Sequence, residues 1–387
     1  MPTAEQPRTP PAGAGPPPVH ILHVFSTFAV GGPQVRFCQI TEALGGKYRH
    51  TVLAMDDNHD CRRHLAPTVE ATFRALQVEK HRTAGNLRRF HALLREVRPN
   101  LLITYNWGAI EWALVNSLWR VCRHIHIEDG FGPEEADGQL RRRVYLRRLA
   151  LRRAAAIVMP SLTLQRIATQ IWGFADARTV YLPNGIDCGK FAEPPDPGIL
   201  AGIDRRPDDL LIGTVATLRP EKNIGRLLRV FATLQQTRPQ ARLVIAGDGG
   251  EKARLMASSK GMGLTDRVHF LGHQAPDKLL GLLDVFAISS DTEQMPLSVL
   301  EAMAAALPVA GVDVGDVRSI VAAENHPYIV AKEDEAGLAS VLQRLLDDAG
   351  ERQRLGLANR ARALADFAQA RMFSRYDALF SGARTVQ

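Results

Sequence analysis

Aromatic residues are scarce, 6% of the 387 positions, and no helix-turn-helix, zinc-finger or RNP-like pattern accompanies them. A net charge of +7 favours an anionic partner, but the usual equipment for reading nucleic acid is missing, so nucleic acid is not the expected one. Cysteine is scarce too. Cys38, Cys61, Cys122 and Cys188 form no C-x-x-C and no spacing to histidine suited to zinc, which speaks against a disulfide framework and against a metal site. A reducing, cytoplasmic setting fits. No stretch approaches the ~18 consecutive apolar residues of a membrane span. The first eighteen residues hold seven prolines and no apolar run, so they are expected to be a disordered tail (1–18) rather than a secretory signal.

What is present is a rhythm. Short apolar runs rich in β-branched residues alternate with helical patterns: HILHVFS (20–26), HTVLAM (50–55), LLITYN (101–106), HIHIED (124–129), AAIVMPS (155–161) and TVYLPNG (179–185). Near-continuous apolar strands separated by helices predict a parallel sheet covered on both faces. The segment 186–209 fills with Pro, Gly and Asp and breaks the rhythm. A second series then follows: LLIGTVAT (210–217), ARLVIAGDG (241–249), RVHFLGH (267–273), DVFAISS (284–290) and LPVAGVDVG (307–315). The expected fold class is α/β, with two tandem Rossmann-like domains facing each other across a cleft and ligands at the carboxyl ends of the strands. The expected limits are 19–190 for the first domain, 191–358 for the second, and a C-terminal helix within 359–387 whose apolar residues pack on the nearest core.

The most informative stretch is SSDTEQMPLSVLEAMAAALPVAGVDVG, in which a strand runs through a polar loop into a helix with Pro296 in its first turn. A helix start gathers free N–H groups and the positive end of the dipole, and proline wastes no donor there, so the Leu297 and Ser298 amides suit a diphosphate. Glu293 precedes this helix and Glu301 lies on its second turn. Each carboxylate can accept two hydroxyl hydrogen bonds, as a sugar or ribose diol requires. Acidic residues near helix starts also serve simply to complement the dipole. In TVATLRPEKN (214–223), a strand-to-helix loop carries Arg219 and Lys222, cations able to stabilise charge developing on a leaving diphosphate without a metal. In TFAVGGPQ (27–34), Gly31 and Gly32 allow backbone to approach a phosphate or sugar closely. The G-x-G-x-x-G dinucleotide fingerprint is absent there, which disfavours an NAD-linked oxidoreductase.

Taken in order, VATLRPEKN, LVIAGDGG, VHFLGH, PNGID (183–187) and the E-x7-E stretch resemble the motifs of family 4 retaining glycosyltransferases of the GT-B fold (glycosyltransferases group 1), over roughly residues 20–383. The resemblance implies a nucleotide-sugar donor as substrate with no further cofactor, and a glycan or lipid-linked acceptor, as in polysaccharide biosynthesis. It implies that Glu301 holds the donor ribose, Glu293 lies beside the transferred sugar, Arg219 and Lys222 bind the diphosphate, and Gly32 touches phosphate. It also implies retention of anomeric configuration, with the leaving phosphate taking the acceptor's proton. The family's C-terminal helix typically crosses back to the first domain.

Several positions depart from the pattern. Thr217 stands where the family commonly has arginine. Asp129, preceded by Glu128, stands where many members carry histidine, and is expected on the sugar side of the site, where an acidic residue can orient an acceptor hydroxyl. Gln294-Met295 replaces a common Gly-Phe, and Tyr105-Asn106 ends a strand that often ends in histidine. A nucleotide-sugar epimerase, a phosphorylase or a non-catalytic nucleotide- or glycan-binding protein shares the architecture. Finally, QLRRRVYLRRLALRR (139–153) packs seven arginines into a helical pattern, with Arg141, Arg148 and Arg152 on one face and Leu140, Val144 and Leu151 on another. Such a helix either rests on an anionic membrane surface or covers the first domain's sheet, with Leu146 and Leu149 turned inward.

Overall fold

The structure is a computed structural model that describes residues 18–76, 78, 83–135 and 138–383. The proline-rich tail therefore lies outside the described residues, apart from Pro18. Two compact units divide the chain. The first comprises the residues through Glu128, Arg141–Ile157 and those from Tyr376 onward; the second comprises Asp129–Leu140 and Val158–Arg375.

Seven parallel strands form one sheet in the order β3-β2-β1-β4-β5-β6-β7, from β1 (Val19–Phe25), β2 (Tyr48–Ala54), β3 (Ala71–Ala75), β4 (Leu101–Tyr105), β5 (Arg123–Ile127), β6 (Ala156–Met159) and β7 (Thr179–Tyr181). Helices α1 (Gly32–Leu44), α2 (Thr83–Val97), α3 (Ile110–Trp119), α4 (Arg141–Leu151) and α5 (Leu162–Arg166) connect them. Within the first unit, the α2/α3 face of the sheet is a core of Leu22, Val24, Leu53, Phe90, Leu102 and Trp112. Strand β3 escaped the sequence reading because ATFRA sits at the sheet edge, half in solvent, and lacks the apolar run of a central strand.

The histidines of this sheet are interior. His23 lies 3.1 Å from the Tyr105 hydroxyl through Nδ1 and 3.0 Å from His50 Nδ1 through Nε2, while Thr104 Oγ1 stands 2.8 Å from both His124 Nε2 and His126 Nδ1. Burial pushes the His50 imidazole down to about 4 and that of His124 to about 3, so both stay neutral. Tyr105, expected at a polar strand end, is buried and stacked on Phe25 with ring centres 3.9 Å apart.

The second sheet has the order β10-β9-β8-β11-β12-β13, all parallel, from β8 (Leu210–Val215), β9 (Ala241–Ala246), β10 (Val268–Gly272), β11 (Val285–Ile288), β12 (Val309–Val312) and β13 (Ile329–Val330). Around it lie α6 (Ile224–Gln235), α7 (Lys252–Gly261), α8 (Pro276–Leu279), α9 (Leu297–Ala304), α10 (Val317–Ile320), α11 (Glu335–Asp347) and α12 (Ala349–Asp366). Every residue of β9, β11 and β12 is buried, as strands covered on both faces require. Each sheet with its helices is a Rossmann-like domain, as the sequence rhythm predicts.

The C-terminal helix expected within 359–387 is instead the end of α12 and a separate α13 (Gln369–Ser381). Between them Phe367 and Ala368 leave helical geometry and dock on the linker: Ile186 N donates to Phe367 O, and Gln369 N donates to Ile186 O. Neither glycine nor proline marks the break. The division between the units falls inside α13. In the first unit, Tyr48 donates to Asp377 Oδ1 at 2.6 Å and packs edge-on against Phe380.

Candidate active site

The candidate residues of the second unit gather at the carboxyl ends of β8 and β11. After β8 the chain runs to Arg219, makes a turn over Pro220–Lys222, and enters α6 through Asn223, whose side chain caps the helix by accepting from Arg226 N at 3.1 Å. Asn223 adopts φ +40°, a left-handed conformation that asparagine tolerates better than most residues. The Ala-Gly-Asp-Gly-Gly end of β9 presses on this loop. A side chain at Gly247 would collide with the Ala216 carbonyl, so close backbone packing rather than ligand approach explains that glycine.

Polar contacts bind the loop after β8 to the loop after β11. Asp291 N donates to Glu221 O at 2.8 Å, and Ser289 Oγ donates to Asn223 O at 3.1 Å. Asn223 Nδ2 reaches both Asp291 oxygens at 3.0 and 3.1 Å, and the buried Arg226 guanidinium pairs with Asp291 at 2.8 Å and donates to Ser289 O at 2.9 Å. The sequence reading missed Asn223, Arg226, Ser290 and Asp291. Their signal was the polar run NIGR facing SSD, two loops whose adjacency only the β8–β11 pairing reveals.

This framework brings Lys222 onto Glu293. Lys222 Nζ donates to Glu293 Oε1 at 2.6 Å, and Ser290 Oγ donates to the same oxygen at 2.7 Å. Among the described residues no hydrogen bond engages Oε2, which stays available to a ligand hydroxyl. Arg219 does not join the pair: its side chain is 66% exposed and stands 3.9 Å from Glu221. Held only by this long, solvent-facing pair, the arginine has the freedom to swing onto a bound anion.

Glu293 and Gln294 are anchored from behind by the loop after β12. Gly315 takes φ +54°, and a Cβ there would collide with the Glu293 carbonyl; Asp316 N donates to Gln294 O at 3.1 Å. The buried Asp316 carboxylate reaches on to α5, accepting from Leu162 N at 2.6 Å, Thr163 N at 3.0 Å and Thr163 Oγ1 at 2.8 Å. Met295 is buried, and its Sδ accepts from Asn184 N at 3.2 Å.

Helix α9 starts at Leu297, so Pro296 is its N-cap rather than a first-turn residue. Proline has no side-chain acceptor to cap the first turn, and the Leu297 and Ser298 amides have no intrahelical partner. Glu301, on the next turn, is largely removed from water. Burial, with a smaller contribution from the Asp277 charge, pushes its carboxyl up to about 7.

Asp129 follows β5, and the adjoining Gly130 abuts the Gln294 side chain, so the 129–130 segment and the 293–295 loop meet within the second unit. Its neighbour Glu128 is buried in the first unit, 3.5 Å from His126 Nε2 and 3.8 Å from Arg147 Nε. Gly31 and Gly32 belong to the first unit. Gly31 is the extended N-cap of α1, with no side chain to cap it, and around Gly32 there is room for a side chain. On α4, Val144, Arg147 and Leu151 face inward while Arg141, Arg148 and, just past its end, Arg152 are exposed. Leu149, expected to pack inward, is 44% exposed instead, because Arg147 and Ala150 occupy the inner positions of that turn.

Two Rossmann-like sheets, with cations and carboxylates gathered around a helix start at the strand ends of the second, define the class of this protein as a two-domain α/β fold. Comparison with known proteins gives this class a family. The Glycosyltransferase Family 4 model matches residues 30–190, and the Glycosyl transferases group 1 model matches residues 200–362. The chain belongs to the family 4 glycosyltransferases of the GT-B fold.

Among curated relatives, a glycogen synthase of Mycobacterium tuberculosis is 27% identical over 284 residues, 70% of this chain and 66% of that protein. An N-acetyl-alpha-D-glucosaminyl L-malate synthase of Bacillus anthracis is 28% identical over 167 residues, 43% of this chain and 44% of that protein. The chain thus spans just under two thirds of the first relative's length and under half of the second's. Among solved structures, Anabaena HepE in complex with UDP superposes with a TM-score of 0.75 at 19% identity, covering 94% of this chain and 100% of that one. A glycosyltransferase from Rickettsia africae does so with a TM-score of 0.78 at 12% identity, covering 96% and 100%. Both share the fold.

Proposed function

We propose that this chain transfers a sugar from a nucleoside diphosphate sugar to a glycan or lipid-linked acceptor with retention of anomeric configuration and without a metal. The observation that carries the reading is the Lys222–Glu293–Ser290 cluster beside the uncapped start of α9, with Glu301 one turn further on. In this reading the α9 amides and Lys222 hold the diphosphate, Arg219 closes on it from solvent, and Glu301 accepts the ribose hydroxyls. Glu293 Oε2 accepts a sugar hydroxyl. The bond from the anomeric carbon to the β-phosphate oxygen breaks as the acceptor oxygen bonds to that carbon on the same face, and the acceptor's proton passes to the departing phosphate. Lys222 neutralises the charge that develops there. Asp129 orients the acceptor hydroxyl. UDP bound to HepE, a protein of the same fold, agrees with a nucleotide donor.

A cytoplasmic location at the inner face of a membrane completes the reading. Arg141, Arg148 and Arg152 suit anionic headgroups, and the exposed Leu118, Trp119, Tyr145 and Leu149 lie on the packed pair α3 and α4. No helix among the described residues is long and apolar enough to cross a membrane. The deciding experiment is acceptor-dependent release of UDP, GDP or ADP from the matching sugar donors in EDTA, with the anomeric configuration of the product read by NMR. Interconversion of free nucleotide sugars without acceptor, or loss of turnover in EDTA, would overturn it.

A further inference from the structure

We infer that Gln294 is a specificity-determining residue, an amide donor that reads an oxygen of the transferred sugar; the inference rests on the donor site proposed above. The argument begins at Ser161. Ser161 is fully buried at the N-cap of α5, and its Oγ accepts the Leu164 amide at 3.0 Å. Its hydroxyl proton is directed at Gln294 Oε1, 3.3 Å away. With the Ser161 hydroxyl donating to Oε1, the carboxamide turns its oxygen to Ser161 and its nitrogen away.

Nε2 therefore presents two N–H donors, and among the described residues no acceptor is hydrogen-bonded to it. The backbone leaves the side chain little freedom, since Asp316 N holds the Gln294 carbonyl at 3.1 Å and Gly315 packs behind it. Gly130 borders the side chain: a Cβ at that position would stand 3.4 Å from Gln294 Cγ. The side chain thus lies against the Asp129–Gly130 segment and directly follows Glu293 in the chain.

A group that only donates selects a partner that accepts. The sugar class that fits carries an oxygen at this position, as hydroxyl or carboxylate, and an ammonium there is rejected because donor would face donor.

The test compares dissociation constants for UDP, GDP and ADP with those for UDP-glucose, GDP-mannose and ADP-glucose, in wild type, Gln294→Glu and Gln294→Leu. The readout is the factor by which the sugar tightens binding over its own nucleoside diphosphate, a ratio that a general loss of structure does not move. Gln294→Glu keeps an acceptor for the Ser161 hydroxyl and replaces the donor by a carboxylate, whereas Gln294→Leu removes donor and acceptor without adding charge, so a loss shared by both variants reports the missing donor. The factor is expected to fall about three- to tenfold in both variants, while the order of preference among the three nucleotides is unchanged. A factor unaltered in both variants, or a wild type that gains nothing from any of the three sugars, overturns the inference. If wild type binds none of the nucleotides, the donor-site reading fails first and the inference falls with it.

Discussion

Lys222 and Ser290 both spend their hydrogen bond on one oxygen of Glu293, Oε1, at 2.6 and 2.7 Å, leaving Oε2 for whatever enters the site. The carboxylate is therefore positioned before any ligand arrives, and its charge is compensated on one side only.

Removing the cation tests that arrangement. Lys222→Ala leaves a carboxylate that is 10% exposed without its counter-charge, so the urea midpoint should fall by the equivalent of about 1–2 kcal/mol. Turnover, measured as nucleotide release, should fall on the order of 100- to 1,000-fold. A variant as active as wild type would remove Lys222 from the diphosphate site. Arg219→Ala, at an exposed side chain, should leave stability within about 0.5 kcal/mol while weakening nucleotide binding.

Glu301 should make the protein sensitive to pH near neutrality. Its carboxyl, raised from 4.5 to about 7 by burial, is harder to ionise folded than unfolded. Its stabilising contribution is therefore complete below about 4.5 and is lost as the pH rises through about 7. Glu301→Gln should gain on wild type in thermal stability between pH 5 and pH 8, by on the order of 2 kcal/mol. Nucleotide binding should show the opposite trend, tightening in wild type as the carboxylate forms and staying flat in Glu301→Gln. Parallel pH profiles for the two proteins would refute the ribose assignment.

Gly315→Ala meets both the left-handed backbone and the Glu293 carbonyl. Urea unfolding should show a loss of about 2–3 kcal/mol, and the rise in melting temperature produced by nucleotide should shrink. A substitution tolerated without either effect would mean that the 293–295 loop does not depend on this support.

The basic helix gives a prediction about lipid. Wild type should sediment with vesicles containing phosphatidylserine and not with neutral phosphatidylcholine vesicles. Arg141→Glu, Arg148→Glu and Arg152→Glu together should abolish sedimentation, and salt should weaken it in wild type. Binding that ignores both charge and salt would place the contact elsewhere.

The sheets were legible because parallel strands covered on both faces must be apolar throughout, as LVIA of β9 and VFAI of β11 are. The candidate site was legible where chemistry is local: Glu293, Glu301 and a helix start between them lie within one stretch, although the helix begins one residue later than its proline suggests. It was opaque where chemistry is long-range. Nothing near Lys222 in sequence announces Glu293, 71 positions away, and Arg219 reads the same as Lys222 although only one of them turns inward. The break at Phe367–Ala368 was hidden because tertiary pairing with Ile186, not a helix-breaking residue, produces it. Leu149 was assigned inward because the reading did not allow for an arginine, Arg147, taking the inner position.

Asp316 serves two masters, its amide holding the Gln294 carbonyl and its carboxylate holding the first amides of α5. Grafting a foreign loop over 293–295 would thus transplant one part of a joint. Gly315, Asp316 and Ser161 belong to the same transferable cassette, and a graft that leaves them mismatched would unseat α5 along with the loop it meant to change.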